Sequence, residues 1–318
     1  DRIKTLKGYI SIDTVNNEIT GYNPDRQSAQ IGPELPNFKG YFVIQPDKKI
    51  ASFGTWDNAS NSPGSKEQYG TRSGAYINFR TTAGELVKVR IGTSFISVEQ
   101  ARENLQKEIP DWDFNKLVNN TRNTWQKELE RLQPEGITED QKAIFYTALF
   151  HTMQFPREMS EYGKYYSAFD DKVHIGESYT DYSLWDTYRA LHPLLVFTQP
   201  HRVNGMISAM LQMYKEGGHL PMWPNPAETN IMISTHADAV IADAYIKGLT
   251  GFDTTLAYEA MWKDATVPPS NDTILPYGDR DKWTDYEVRA GLTRFESMGY
   301  IPFGKTAESV SRTLEYSS

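Results

Sequence analysis

Leu86-Val87-Lys88-Val89-Arg90-Ile91-Gly92-Thr93-Ser94-Phe95-Ile96-Ser97-Val98-Glu99-Gln100 is the stretch in which the chain changes its period. Up to Ile91 apolar and polar residues alternate, the mark of a strand with one buried face. From Ser97 the pattern is that of a helix N-terminus, a serine cap followed by an acidic first turn, and an amphipathic run follows that stops at Pro110. Upstream, from Leu6 to about Phe95, short β-branched and aromatic runs such as Gly40-Tyr41-Phe42-Val43-Ile44-Gln45 are broken by Asn, Asp, Gly and Pro. They predict a β-sandwich-like domain over residues 1–96. Asp57 to Lys66, rich in Asn, Ser, Pro and Gly without periodicity, reads as a loop.

Downstream, Phe114, Leu117, Val118, Thr121, Trp125 and Leu129 recur at three- and four-residue intervals, so residues 97–135 read as a helical linker between two domains. Thr138-Glu139-Asp140-Gln141 is a capping box opening a helix before Pro156. Beyond it the chain reads as mostly helical, with helices at about Ser183–Leu195, His201–Lys215, Ala237–Lys247, Thr254–Ala265 and Thr284–Ser297, and a further one beginning near Ser309. No strand alternation lies between them, which argues against a parallel α/β fold. Residues 136–318 therefore fit part of an α/α toroid, a closed ring needing more helices than this chain offers. Asp1-Arg2-Ile3-Lys4-Thr5 is neither a signal peptide nor a start methionine, and both ends read as cut.

Composition removes several functions. A net charge of −8 with scattered Lys and Arg repels a phosphate backbone, so no nucleic-acid partner is expected. No apolar run approaches the ~18 residues of a membrane span. The absence of cysteine excludes disulfides, thiolate catalysis and zinc ribbons. The six histidines include no pair four residues apart, so no metal ligand is assigned, and Asp170-Asp171 reads as a solvated turn. Nucleophile elbows and phosphate-cradling glycine loops are absent as well. Aromatics, by contrast, are abundant, with 19 Tyr and 7 Trp, several beside polar residues as in carbohydrate sites.

Two segments concentrate this polar-aromatic character. In Tyr179–Leu194, Asp181 or Ser183 can cap a helix whose first turn carries Trp185 and Asp186. Asp186 and Arg189 either form an i,i+3 ion pair, or Trp185 stacks on a sugar while Asp186 accepts from its hydroxyls; the two are compatible. The Gly217–Met232 loop holds three prolines around Trp223, Asn225, Glu228 and Asn230, pre-organised for binding or folded as a turn plugged by Trp223. His236 opens the next helix as a ligand contact or as a capping or buried histidine.

The blocks YTDYSLWDTYRALHPL (Tyr179–Leu194), GGHLPMWPNPAETNIM (Gly217–Met232) and HADAVIADAYIKG (His236–Gly248) resemble the helical domain of glycoside hydrolase family 92. So do FYTALFHTMQFPREM (Phe145–Met159) and SVSRTLEYS (Ser309–Ser317). The resemblance implies a β-sandwich followed by an (α/α)6 barrel, and a calcium-dependent exo-α-mannosidase that hydrolyses with inversion, most often at α-1,2 linkages. It implies a mannose-containing glycan as partner, together with the remainder of the same polypeptide, and a periplasmic or secreted location. Trp185 and Asp186 match a mannose-subsite position, and Glu228 sits in a block lining the same cleft. Trp223, Asn230 and His236 complete the expected substrate-binding set, although Ile233-Ser234-Thr235-His236 departs from the glycine-containing version of relatives. Inversion needs an acid and a base separated by about 6.5–9.5 Å. The family places them in a Gly-Asn-Glu-Pro block and an acidic block before Met-Ser-Ala-Trp, and neither occurs in this sequence. Catalytic residues and Ca2+ ligands are therefore expected outside this chain. The alternatives are a non-catalytic carbohydrate-binding remnant and a glucosidase- or trehalase-like member of the same toroid class.

Overall fold

The computed structural model describes residues 6–26, 33–58, 60–229, 232, 235–270, 272, 289–302 and 313. It divides into two compact units, Asp1–Gln27 with Pro36–Glu128, and Ser28–Leu35 with Leu129–Ser318. The 97–135 stretch read as a linker is thus shared, with its helices going to the first unit.

In the first unit, β1 (Gly8–Asp13), β2 (Glu18–Asn23), β3 (Gly40–Pro46), β4 (Ser52–Asp57), β5 (Ser60–Pro63), β6 (Glu67–Gly70), β7 (Ser73–Asn78) and β8 (Val89–Ser94) form two antiparallel sheets. Their orders are β6-β1-β2-β3-β8 and β5-β4-β7. Period-two alternation separates the faces of β3. Phe42 and Ile44 join Ile12, Ile19, Ile50, Phe53 and Ile77 in the core between the sheets. Val43 points the other way, onto Ala101 and Leu105 of α1 (Val98–Glu108). A Cβ on Gly92 of β8 would stand 2.3 Å from the Ala101 carbonyl oxygen, so only glycine admits the helix this close. Ser97 caps α1 by accepting from the Gln100 amide at 3.0 Å.

The Asp57–Lys66 loop assignment is corrected. Residues 60–63 pair with β4 in the register Gly54↔Pro63 to Asp57↔Ser60. All four are exposed, so this edge strand has no core face to impose an apolar alternation. Conversely α2 (Phe114–Leu129), amphipathic in sequence, buries none of its residues.

The second unit opens with α3 (Glu139–Thr152), whose Thr138/Gln141 capping box is complete. Residues 157–180, within the part of the chain read as mostly helical but given no helix of their own, form strands. Here β9 (Arg157–Glu158) pairs with β12 (Tyr179–Thr180), and β10 (Lys164–Ser167) with β11 (Lys172–Ile175), strands too short to establish a period. The Ser183–Leu195 helix is also divided, into α4 (Leu184–Thr187) and α5 (Leu191–Thr198). Pro193 explains the break: inside one continuous helix its ring would clash with the Arg189 carbonyl, whereas in the first turn of α5 its missing N–H costs nothing.

The core is organised by α6 (Pro200–Gly217), which buries Val203, Ile207, Met210 and Leu211 against Leu195, Tyr182 and Leu184. Val240, Ile241 and Ala244 of α7 (His236–Ile246) and Ala257 and Ala260 of α8 (Thr254–Thr266) complete it. Left-handed Gly218, at φ 90°, ends α6 and starts the Trp223 loop. α9 (Leu292–Met298) overlaps the C-terminal half of the helix expected at Thr284–Ser297, whose residues 284–288 lie outside the described residues, as does nearly all of the helix expected from Ser309.

Candidate functional site

Asp181, in the left-handed conformation at φ 62°, turns the chain from β12 into α4. Its amide donates to the Pro224 carbonyl at 3.0 Å, fastening the start of α4 to the proline-rich loop. Its carboxylate pairs with Arg157 at 2.7 Å. Burial raises that carboxyl's pKa and Arg157 partly offsets the rise. Ser183 does not cap the helix through its side chain. Its Oγ instead accepts from Trp223 Nε1 at 2.7 Å and donates to Asp186 Oδ2 at 2.6 Å. One hydroxyl thereby ties the loop indole to the α4 carboxylate. Trp185 and Trp223 are half-buried and Asp186 is exposed, so a carboxylate with lone pairs to spare faces solvent at the end of an aromatic-lined segment.

No Asp186–Arg189 ion pair forms among the described residues. Arg189 donates from Nε to the Trp185 carbonyl at 3.2 Å, and its guanidinium lies 4.8 Å from the Tyr188 ring centroid and 5.5 Å from that of Trp185. On Tyr188 rests His236, the first residue of α7, with centroids 4.1 Å apart and planes 6° from parallel. Burial, together with Arg189 and Arg289, lowers the His236 pKa to about 4, so its imidazole is neutral at pH 7.

Glu228 is buried within the proline-rich loop. Its buried carboxylate accepts from the loop's own backbone, the amides of Met222 at 2.8 Å, Trp223 at 3.0 Å and Thr229 at 3.1 Å. Thr229 Oγ1 donates to the Trp223 carbonyl at 2.8 Å, and Pro224 and Glu228 form a β-bridge. These charge-assisted bonds tie the Glu228 carboxylate to the backbone on either side of Trp223. Asn230 lies outside the described residues.

The sequence did not point to a buried polar group behind the site. Asp238 of α7 accepts from Thr235 Oγ1 at 2.9 Å and from Arg289 at 3.2 Å. Asp264 of α8 stands 3.7 Å from His219 Nδ1. Burial and mutual repulsion raise the pKa of Asp238, and burial raises that of Asp264. The pair is brought together from two helices by packing, and no local spacing could reveal it.

The solvated-turn reading of Asp170-Asp171 is likewise corrected. Asp170 is half-buried and contacts His174, and Asp171 accepts from Tyr166 Oη at 2.5 Å, because the β10–β11 hairpin folds both carboxylates back onto itself. Asp170, His174 and Glu216 bring three potential ligand atoms within 4.8 Å of one another. Neither this group nor the Trp185 cluster suits calcium, which takes about 6–8 oxygen ligands: the first includes an imidazole, and the second offers one exposed carboxylate.

Comparison with known proteins agrees with this architecture. A solved inverting mannosidase of family 92 from Bacteroides thetaiotaomicron VPI-5482 superposes with a TM-score of 0.87 at 28% identity, covering 98% of this chain and 41% of its own. An α-mannosidase of the same family and species, solved with mannoimidazole, gives 0.81 at 32% identity, covering 98% and 39%. A curated relative from Arthroderma benhamiae, described as an uncharacterized secreted glycosidase, is 29% identical over 262 residues, 77% of this chain and 28% of that protein. The chain therefore spans well under half the length of these relatives. Among the described residues no helix is long and apolar enough to cross a membrane. The glycosyl hydrolase family 92 N-terminal domain matches residues 1–94 and the catalytic domain residues 100–318, and the chain belongs to glycosyl hydrolase family 92.

Proposed function

We propose that this chain supplies sugar-binding surface to an inverting exo-α-mannosidase acting on terminal α-mannosyl residues of glycans, with α-1,2 linkages the preference implied by family resemblance. The observation that carries this reading is the Trp223–Ser183–Asp186 hydrogen-bonded link, which holds an exposed carboxylate in fixed relation to two tryptophans. A pyranose presents an apolar C–H face and a rim of hydroxyls, which an indole and a carboxylate recognise. In this reading Trp185 or Trp223 stacks on the ring and Asp186 accepts from hydroxyls. His236 contacts the ligand as a neutral imidazole, and Glu228 positions the loop.

In this reading the acid, the base and the calcium ligands are supplied from outside this chain, and the chain alone binds sugar without turning it over. The secreted relative supports a location outside the cytoplasm.

Titrating the chain with mannose and with mannoimidazole, followed by tryptophan fluorescence, tests the proposal. Saturable binding of either that is lost in Asp186→Ala, with no binding of glucose, is the expected result. A preference for glucose would point to a glucosidase-like parent, and the same weak response in wild type and Asp186→Ala would remove the site.

A further inference from the structure

Away from the aromatic cluster, the β10–β11 hairpin meets the last turn of α6. His174 Nε2 is 3.0 Å from both carboxylate oxygens of Asp170 and 3.9 Å from Glu216 Oε1. Tyr165 donates its hydroxyl to Glu216 Oε1 and stacks on the His174 ring at a centroid distance of 5.6 Å. Glu216 is the informative member. Its side chain is only 10% exposed, and its second oxygen, Oε2, is buried without a hydrogen-bond donor. A carboxylate left half-satisfied in such a place is costly, and native structures rarely tolerate it without an unseen partner.

We propose that Asp170, His174 and Glu216 form a divalent transition-metal site, with zinc the ion that this donor set fits best. Metal–ligand bonds of about 2.0–2.2 Å place neighbouring ligand atoms roughly 3.0–3.5 Å apart around one ion, so the observed group closes on a cation with small side-chain rotations. One imidazole and two carboxylates favour zinc over calcium or magnesium, which prefer oxygen alone. The protein also provides the outer contacts such sites need: Tyr165 orients Glu216 by hydrogen bonding and His174 by stacking. Lys172 reaches Asp170 Oδ2 at 3.4 Å, but its ammonium lies in solvent and can withdraw when the ion enters. The ion would staple the hairpin to α6, directly before the loop that carries Trp223. This site is separate from the sugar site and does not depend on it.

The chain stripped with EDTA should bind one Zn2+ at this group in a calorimetric titration with the metal alone, and its Tm should rise. Glu216→Gln and His174→Gln should each weaken that binding at least tenfold, and a large excess of Ca2+ should not compete. A readout that needs no variant is the nitrogen NMR signal of the His174 ring, which must shift as Zn2+ is added. The proposal is overturned if wild type takes up no stoichiometric zinc, if both variants bind it as tightly as wild type, or if the His174 signal stays in place.

Discussion

His192 is enclosed in the helical unit, stacked on Tyr182 with centroids 6.3 Å apart, and neither ring nitrogen has a hydrogen-bond partner. Burial lowers its pKa to about 4, against an ordinary value of about 6.5 in the unfolded chain. A depressed histidine contributes stability that is fully present above pH 6.5 and is lost as pH falls through 4, because the unfolded state takes up the proton first. The contribution is of order 3 kcal/mol. Urea denaturation of His192→Phe should therefore show a much flatter loss of stability from pH 6.5 to 4 than wild type, with the raised carboxyls cancelling in the comparison. Equal slopes would mean that the imidazole finds a partner in solution. Ser183 makes a second case at this scale. Ser183→Ala removes both bonds of the Trp223–Asp186 link, costing about 1 kcal/mol of stability for each bond lost. It should also weaken mannose binding several-fold in the fluorescence titration while leaving the far-ultraviolet circular dichroism unchanged.

The loop between α6 and α7 depends on one carboxylate. Glu228→Ala strands three amide donors, at about 1–3 kcal/mol for each left unsatisfied, whereas Glu228→Gln keeps an acceptor. The alanine variant should lose at least twice as much stability as the glutamine variant in urea melts, and lose sugar binding with it; a silent Glu228→Ala would show the loop to be held by its prolines. This element also separates what the sequence tells from what it hides. The prolines and Gly218 identified a rigid loop, but the direction of the Glu228 side chain depends on a backbone path that no local pattern encodes. Strand β3 was legible because one of its faces is buried in the sandwich, and α1 and α3 because Ser97 and Thr138 carry cap chemistry. β5 was illegible with both faces in water, and β9 to β12 because strands of two to four residues fit no period. Asp170, His174 and Glu216 are brought together by a hairpin and a helix 42 residues apart, a proximity that only the fold creates.

At the scale of the molecule, the toroid is only partly present, and among the described residues α7 and α8 leave apolar surface open. Tyr245 and Ile246 of α7 and Tyr258 and Trp262 of α8 are all more than half exposed, and the two helices flank a groove of about 490 Å³ that includes Ile241, Phe252 and Met261. Contiguous apolar surface of this kind drives association in water, at roughly 25 cal/mol per Å² removed from solvent. The expected occupant for this chain in isolation is a second copy, since each brings the same unsatisfied face. Sedimentation velocity should show mass rising with concentration and falling back to monomer in Ile246→Glu. That exposed substitution carries little folding cost, because the side chain it replaces is already 83% in solvent. If wild type stays monomeric at high concentration and Ile246→Glu behaves identically, this face does not drive self-association.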